Sequence, residues 1–418
     1  LRPQLHQLEG GGVKRRLEAL WKYLPEFGVE FVDNPGQADL VHCHAIAQAI
    51  GYAHSLVYTN HGVYELTEDS PAHEWAMNRI IVQNLRLARR VISVAQWPTE
   101  IYAEELGVQP VVIPNGVDLE AWERVPKGVF VKNRQIERPF FLWAKISSVG
   151  VSDPTPVVEL AKRLPEYDFV TTFAPTGAPS LPNLRVVGRL PFNEMQQALA
   201  DCVAYVATTK ENFSVQVVEA MACGKPILGY AWGGTPEAVR HDREGWLVQP
   251  GDLDGLAEGA RKCVENAKRY GRAAHKRVNR SFRWEDLMRQ VYGVYEEALE
   301  EKRREMAAPQ VCVVVPNHNY EQFLPEALQS VQSQSLQDFE CIVVDDASDK
   351  DPEPFIKQFL KDGRFKLVRH KKNQNVSAAR NTGIEASRSP FALCLDADDL
   401  LEPDALKNLA STLKQDEG

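Results

Sequence analysis

VAYVATTKENFSVQVVEAMACGKPILGYA, residues 203–231, decides the architecture. Two apolar runs flank a stretch with helical spacing, so the segment reads as strand, loop, helix and strand. Ser214 stands where a helix N-cap is expected, and Gly224 followed by Pro226 marks the stop. A unit of this kind implies a parallel sheet with helices on both faces. Within it, Glu211 falls in the loop before the helix and Glu219 more than one turn inside it. The two carboxylates are placed to touch different parts of one elongated ligand lying across the helix start. Free amides and the positive dipole end there suit a diphosphate. A carboxylate deeper in the helix suits a ribose diol, and one in the loop suits the hydroxyls of an attached sugar. Two glutamates at this spacing also arise by chance on a solvated surface, so the pair alone decides nothing.

The same alternation extends both ways. Upstream, "VEFV", "DLVHCH", "SLVYTNHG", "RVISVA" and "PVVIPNGVD" read as strands and their exits, with helices at about 13–24, 72–90 and 97–106. After a polar stretch near 127–138 come "PFFLWAK", a helix near 154–164, "DFVTTFA", "LRVVGRL", a helix near 193–200, the opening segment and "GWLVQP". Two such blocks predict two Rossmann-like domains facing a cleft, with ligands beyond the carboxyl ends of the strands. A charged helix from about Trp284 to Arg304 and a "MAAPQ" break precede a third series: "VCVVVPNHN", "ECIVVDDAS", "FKLVRH" and "FALCLDADD" with helices between. The expected division is 1–127, 128–283, a helix and linker over 284–308, and 309–418. Leu at position 1, and an end just after a motif that normally sits mid-domain, raise the expectation of a fragment cut at both ends.

Composition is that of a globular protein, 44% hydrophobic and 25% charged over 418 residues. A net charge of −9 argues against a protein built to grip nucleic acid or an anionic membrane. The clusters Lys14-Arg15-Arg16 and Arg86 to Arg90 lie in a stretch, residues 1–127, holding 11 basic and 16 acidic side chains, and read as solvated helix faces. Seven scattered cysteines, none in a C-x-x-C pair, suit buried thiols in a reducing compartment, and no signal peptide is evident. A cytoplasmic location is expected. The helix at 13–24 carries Leu17, Leu20, Trp21 and Leu24 beside its basic residues. Core packing is the expected use of that stripe, and peripheral contact with the inner face of a membrane the other. His42 and His44 share a strand face with no third ligand evident, which favours packing over a metal site.

"VVEAMACGKPILGYAWGGTPEAV" followed by "EGWLVQPGDLDGLA" resembles the donor-binding domain of family 4 glycosyltransferases, which have the GT-B fold. "EGGGVKRRLEAL" is similar to that family's glycine loop and first helix, "YTNHGVY" to its histidine-bearing strand exit, and "VIPNGVDLEAW" to its interdomain loop. The resemblance implies a hexosyltransferase-type, retaining glycosyltransferase using a nucleoside diphosphate sugar, a UDP- or GDP-sugar, with no cofactor. It places Glu211 on the donor sugar, Glu219 on the ribose and His61 near the reacting carbon. Gly11, Gly12, Asn115, Phe213, Ser214 and Val215 line the rest of the donor site. The acceptor is expected to be a glycan, a lipid-linked sugar or another hydroxyl. One departure stands out. Lys145 occupies the place of the family's diphosphate-binding Arg, and Ser152 and Asp153 the region of its Lys, so a bidentate fork is replaced by a point charge.

"VCVVVPNHNYEQFLPEALQS" and "NQNVSAARNTGIEASRSPFALCLDADDLLEPDAL" resemble the opening and middle of a family 2 glycosyltransferase, of GT-A fold. Pro316, Asp346 and Arg380 are its expected nucleotide contacts. Asp396, Asp398 and Asp399 form an acidic cluster whose oxygen-only ligands suit Mg²⁺ or Mn²⁺. Only the donor half of that fold is covered. The fold class is thus α/β, with GT-B followed by an incomplete GT-A-like domain, as in a bifunctional fusion for polysaccharide biosynthesis. Two other readings stay open: a sugar-nucleotide-binding module that has lost catalysis, motivated by Lys145, and a transferase acting on modified DNA bases, which the overall acidity opposes.

Overall fold

A computed structural model describes residues 12–44, 55–62, 72–145, 153–174, 177–306 and 308–416. Gly11 and Ser152 lie outside the described residues. The chain forms two compact units, Leu1–Leu299 and Glu300–Gly418.

Unit 1 opens with a parallel sheet of four strands, β1 (Val41–His44), β2 (Leu56–Asn60), β3 (Arg90–Ser93) and β4 (Val111–Val112), in that order. One face packs Leu17, Leu20 and Leu24 of the helix Gly12–Tyr23 against Val57, Ile92 and Ile113. The apolar stripe of that helix therefore serves the core. The other face buries Leu56, Tyr58 and Val91 under Ile81 and Leu85 of Ala72–Leu87 and Tyr102 of Thr99–Leu106. The expected strand "VEFV" does not form. Phe31 is exposed and only Val29 reaches the core, so no buried face rewards pairing to the sheet.

The second sheet has six parallel strands: β5 (Phe140–Trp143), β6 (Asp168–Thr171), β7 (Leu184–Val186), β8 (Ala204–Ala207), β9 (Ile227–Tyr230) and β10 (Gly245–Val248). Their spatial order is β10-β9-β8-β5-β6-β7. Successive residues of β5 feed opposite cores: Phe140 and Leu142 face one helix layer, Phe141 and Trp143 the other. That is why the strand is continuously apolar rather than alternating. Sequence order reverses between β5 and β8, and such a switch point opens a crevice beyond the strand ends.

Two adjacent connections join the sheets. Val117 N–H donates to the Phe282 carbonyl at 2.8 Å, and Trp284 N–H to the Val117 carbonyl at 3.2 Å. The helix Trp284–Met306 then returns to the first sheet and places Leu287, Met288, Val291, Val294 and Ala298 in its core.

Unit 2 is a four-stranded parallel sheet in the order β13-β12-β11-β14, from β11 (Val311–Asn317), β12 (Phe339–Asp345), β13 (Phe365–Arg369) and β14 (Phe391–Cys394). All seven cysteines are free; Cys202, Cys263, Cys312 and Cys341 are buried, whereas Cys394 is exposed on the edge strand β14. No helix among the described residues is long and apolar enough to cross a membrane.

Candidate active site

The switch point of the second sheet brings together Lys145, at the exit of β5, and Glu211, in the loop after β8. Lys145 Nζ lies 2.9 Å from Glu211 Oε1 and donates to Gln216 Oε1 at 3.2 Å, although the lysine side chain is only 6% exposed. Its backbone is clamped by Thr172: the Lys145 amide donates to Thr172 Oγ1 at 2.9 Å, and that hydroxyl donates to the Lys145 carbonyl at 2.8 Å. The Tyr205 hydroxyl lies 3.1 Å from both the Ala144 carbonyl and Gln216 Oε1. The second oxygen of Glu211, Oε2, is buried with no hydrogen-bond partner. An orphaned carboxylate oxygen at a strand switch point is a vacant acceptor for a hydroxyl.

Helix Val215–Ala222 starts directly after this loop. Ser214 has the extended N-cap conformation but gives no side-chain cap, so the first-turn amides are left unfilled by it. Gly224, at φ +67°, ends the helix as the sequence predicted, its N–H donating to the Met221 carbonyl at 2.9 Å. The loop is held from outside by Gly233 and Gly234, where any Cβ would overlap the carbonyls of Glu211 and Asn212. Asn115 Nδ2 donates to the Phe213 carbonyl at 3.3 Å, and Asn115 Oδ1 is a second buried acceptor without a partner. Gly12, first residue of its helix, abuts Val215 and Asn115. Two helix N-termini, one from each sheet domain, thus converge where the sequence placed a diphosphate.

Glu219 lies in the same helix, buried, with Arg15 Nε 3.3 Å from its Oε1. Burial raises its pKa to about 7, against the pull of the Arg15 charge. Across the cleft, His61 leaves β2, and a Cβ on its neighbour Gly62 would overlap the Asn212 side-chain amide. His61 Nε2 is 3.2 Å from His44 Nδ1, and the His42 and His44 rings stack at 4.3 Å. His42 reaches Tyr295 Oη at 2.5 Å and Thr59 Oγ1 at 2.7 Å. Burial, and then the charge of fully buried Arg16, hold His61 at about 3; burial likewise takes His42 to about 3. These rings are neutral. His44 Nε2 has no partner, and an orphaned acceptor is tolerated better than an orphaned N–H. The tautomer that follows has His44 Nδ1–H donating to His61 Nε2, leaving the proton of His61 on Nδ1.

Arg15, Gln216 and Tyr205 were missed from sequence. Arg15 was absorbed into a basic run; only its spacing of three from Gly12 on a helix entering the cleft could have flagged it. Asp153 accepts from the Thr155 amide at 2.9 Å at the start of the next helix and supplies nothing cationic.

In unit 2, Pro316 is buried within β11 and the strand runs one residue further, to Asn317. Asp346 Oδ1 is 2.7 Å from His370 Nδ1 and accepts from the Gln374 amide at 2.8 Å. Burial opposes its ionisation, but the hydrogen bonds from His370, Gln374 and Asn375 outweigh that and hold its pKa below the ordinary value. Beside it, Asn317 Nδ2 donates to Asp345 Oδ1 at 2.8 Å. No three His, Cys, Asp or Glu side chains among the described residues are grouped to hold an ion. Asp396, Asp398 and Asp399 splay outward on a turn anchored by buried Leu395 and Ala397, and Asp396 Oδ1 is taken by Arg380 Nη2 at 2.7 Å.

The two parallel sheets of unit 1 have the GT-B fold. Residues 10–121 match the profile Glycosyltransferase Family 4, residues 172–266 Glycosyl transferases group 1, and residues 312–418 Glycosyl transferase family 2. The chain thus carries family 4 and group 1 sequence of the GT-B kind in unit 1 and a family 2 domain in unit 2. The D-inositol 3-phosphate glycosyltransferase of Salinispora tropica is 31% identical over 168 residues, 40% of this chain and 32% of the relative. The N-acetyl-alpha-D-glucosaminyl L-malate synthase of Bacillus anthracis is 30% identical over 129 residues, 29% of this chain and 34% of the relative. The chain spans about a third of the length of these curated relatives. Among solved structures, a glycosyltransferase from Rickettsia africae superposes with a TM-score of 0.56 at 16% identity, over 70% of this chain and 96% of that one. Sucrose-phosphate synthase from Thermosynechococcus elongatus does so with 0.53 at 18%, over 69% and 79%. Anabaena HepE in complex with UDP and glucose gives 0.50 at 21%, over 58% and 71%.

Proposed function

We propose that unit 1 transfers a sugar from a nucleoside diphosphate sugar to a hydroxyl acceptor, with retention of anomeric configuration. The observation that carries this is the vacant acceptor Glu211 Oε2 beside Lys145 at the sheet switch point, in the loop that leads into the helix Val215–Ala222. In this reading the diphosphate lies against the first-turn amides of Val215–Ala222 and next to Lys145. These donors are fixed before the reaction and stabilise the charge that develops as the diphosphate leaves. Glu211 Oε2 accepts from a hydroxyl of the donor sugar, Glu219 from the ribose, and neutral His61 offers its Nδ1–H across the cleft. The acceptor hydroxyl attacks the face that the diphosphate vacates, and the departing phosphate oxygen takes its proton.

A fold neighbour crystallised with UDP and glucose makes that donor class the first to test. The reading of unit 2 is a nucleotide site around Pro316, Asp346 and Arg380, and no step of transfer passes through a metal there. A binding module without turnover is favoured by one observation: the Lys145 charge is already engaged by Glu211. Incubation with a panel of sugar nucleotides, following nucleotide release, tests the proposal. Release that falls at least a hundredfold in Glu211→Ala supports transfer. Donor binding with no release across an acceptor library establishes the binding module instead.

A further inference from the structure

The turn that follows β3 belongs to the first sheet by sequence but is seated in the second domain. Val94 and Ala95 are buried in a core on one face of the six-stranded sheet, and Trp97 packs against the same core. Glu237, from the short helix Thr235–Ala238, closes over this turn. The Gln96 amide donates to both of its carboxylate oxygens, at 2.9 and 2.8 Å, and the Trp97 amide to Oε1 at 2.8 Å. We propose that Glu237 is a positioning residue, a clasp that sets the span between His61 and Glu211 by holding the turn rather than the donor. Its consequence for turnover rests on the reading of unit 1 as a transferase.

Each side of the clasp is fixed to one half of the site. In the second domain, Arg277 Nε and Nη2 donate to the Ala238 and Glu237 carbonyls at 2.6 and 2.7 Å, which holds the backbone beneath the carboxylate. Gly234, the residue before that helix, donates its N–H to the Glu211 carbonyl at 2.9 Å and so ties the clasp to the loop. In the first domain, the Val94 amide donates to the Asn60 carbonyl at 3.3 Å. Asn60 Nδ2 donates to Tyr102 Oη at 2.6 Å, and Asn60 Oδ1 accepts from the Gly62 amide at 2.9 Å. His61 is therefore gripped between two residues that answer to the turn and to the helix Thr99–Leu106 behind it. The Trp97 indole N–H closes the circuit, donating to the Asn212 carbonyl at 3.3 Å, next to Glu211. A carboxylate shared by two backbone amides makes charge-assisted bonds, shorter and stronger than neutral ones. It also faces the amide end of Thr99–Leu106, where the helix dipole favours negative charge. Removing it frees two amides that water can reach, so the fold survives. What is lost is the register of the His61 side against the loop, while Gly233 and Gly234 still hold the loop itself.

Glu237→Ala in the full chain tests this. Nucleotide release with the panel of sugar nucleotides is expected to fall about thirtyfold, because small misplacements across a reacting site are costly. Affinity for UDP and GDP by calorimetry is expected to stay within about twofold of the parent, as for a site the substitution does not touch. Backbone amide exchange is expected to quicken at 58–62 and 94–102 but not at 208–214. Glu237→Gln, which keeps one oxygen for both amides, is expected to recover most of the release. Asp201 accepts from the Gly128 and Phe130 amides, a like arrangement outside this circuit. Asp201→Ala is expected to lower the melting temperature as much as Glu237→Ala and to leave release and exchange at 58–62 unchanged. Unchanged exchange at 58–62 in Glu237→Ala, or nucleotide affinity lost along with release, overturns the clasp. Equal slowing by Asp201→Ala reduces the effect to a general loss of stability and overturns it as well. If the parent releases no nucleotide from any donor, the proposed function fails, and amide exchange alone then decides the clasp.

Discussion

Glu219 is a buried carboxylate whose pKa of about 7 lies above the 4.5 of an exposed glutamate. Between those values the folded chain keeps a proton that the unfolded chain releases, so stability falls as pH rises through that window, by about 3 kcal/mol. Glu219→Gln removes this term; denaturant titrations at pH 5 and pH 8 will show the variant gaining on the parent at the higher pH. The histidines act in the opposite sense. His42 and His61 sit near 3 against the usual 6.5, so below 6.5 the unfolded chain takes up protons that the folded chain refuses. Each neutral imidazole then costs about 2 kcal/mol of stability by pH 5. His42→Gln, which can keep a polar contact to Tyr295, is expected to lose about that much less between pH 7 and pH 5. Equal losses in variant and parent would show that His42 is not held neutral by the fold.

At the scale of elements, the glycines behind the Glu211 loop separate positioning from mere turn-making. Gly234→Ala pushes a methyl into the Asn212 carbonyl, a displacement costing about 1–3 kcal/mol, and it moves the segment that carries Glu211. Gly107 has φ +66° but open space around it, so Gly107→Ala carries only the left-handed penalty of about 1 kcal/mol. Thermal melting will register both; nucleotide binding by calorimetry is expected to fail only in Gly234→Ala. The helix Val215–Ala222 and its flanking strands were readable in advance because cap, stop and apolar runs all agreed. "VEFV" misled because β-rich composition says nothing about whether a neighbour strand is there to pair with. At the acidic turn 396–399, spacing places carboxylates near one another in sequence but does not fix the partner of each. Arg380, sixteen positions upstream, diverts one of them. Arg15 was illegible because its partner Glu219 lies 204 residues away and belongs to another sheet domain.

For the molecule as a whole, the helix Trp284–Met306 is a structural part of the first sheet domain rather than a spacer. Met288 and Val291 are fully buried there, and Met288→Ala is expected to cost about 3 kcal/mol. A chain ending at residue 306 should retain the cooperative melt of unit 1, whereas one ending at residue 283 should lose it. Circular dichroism melts of the two truncations check this, and an intact transition in the shorter chain would show that the helix is dispensable.

The crossing beside Val117 also fixes an order of events at the ribosome. The six-stranded sheet lies wholly within the stretch between the two crossing segments, so it is complete as soon as its last helix emerges. The amino-terminal sheet, although translated before it, must wait with one hydrophobic face only partly covered until residues past Ala298 clear the exit tunnel. Between these two sheets synthesis thus runs opposite to maturation, and the one made earlier is the one more in need of a chaperone.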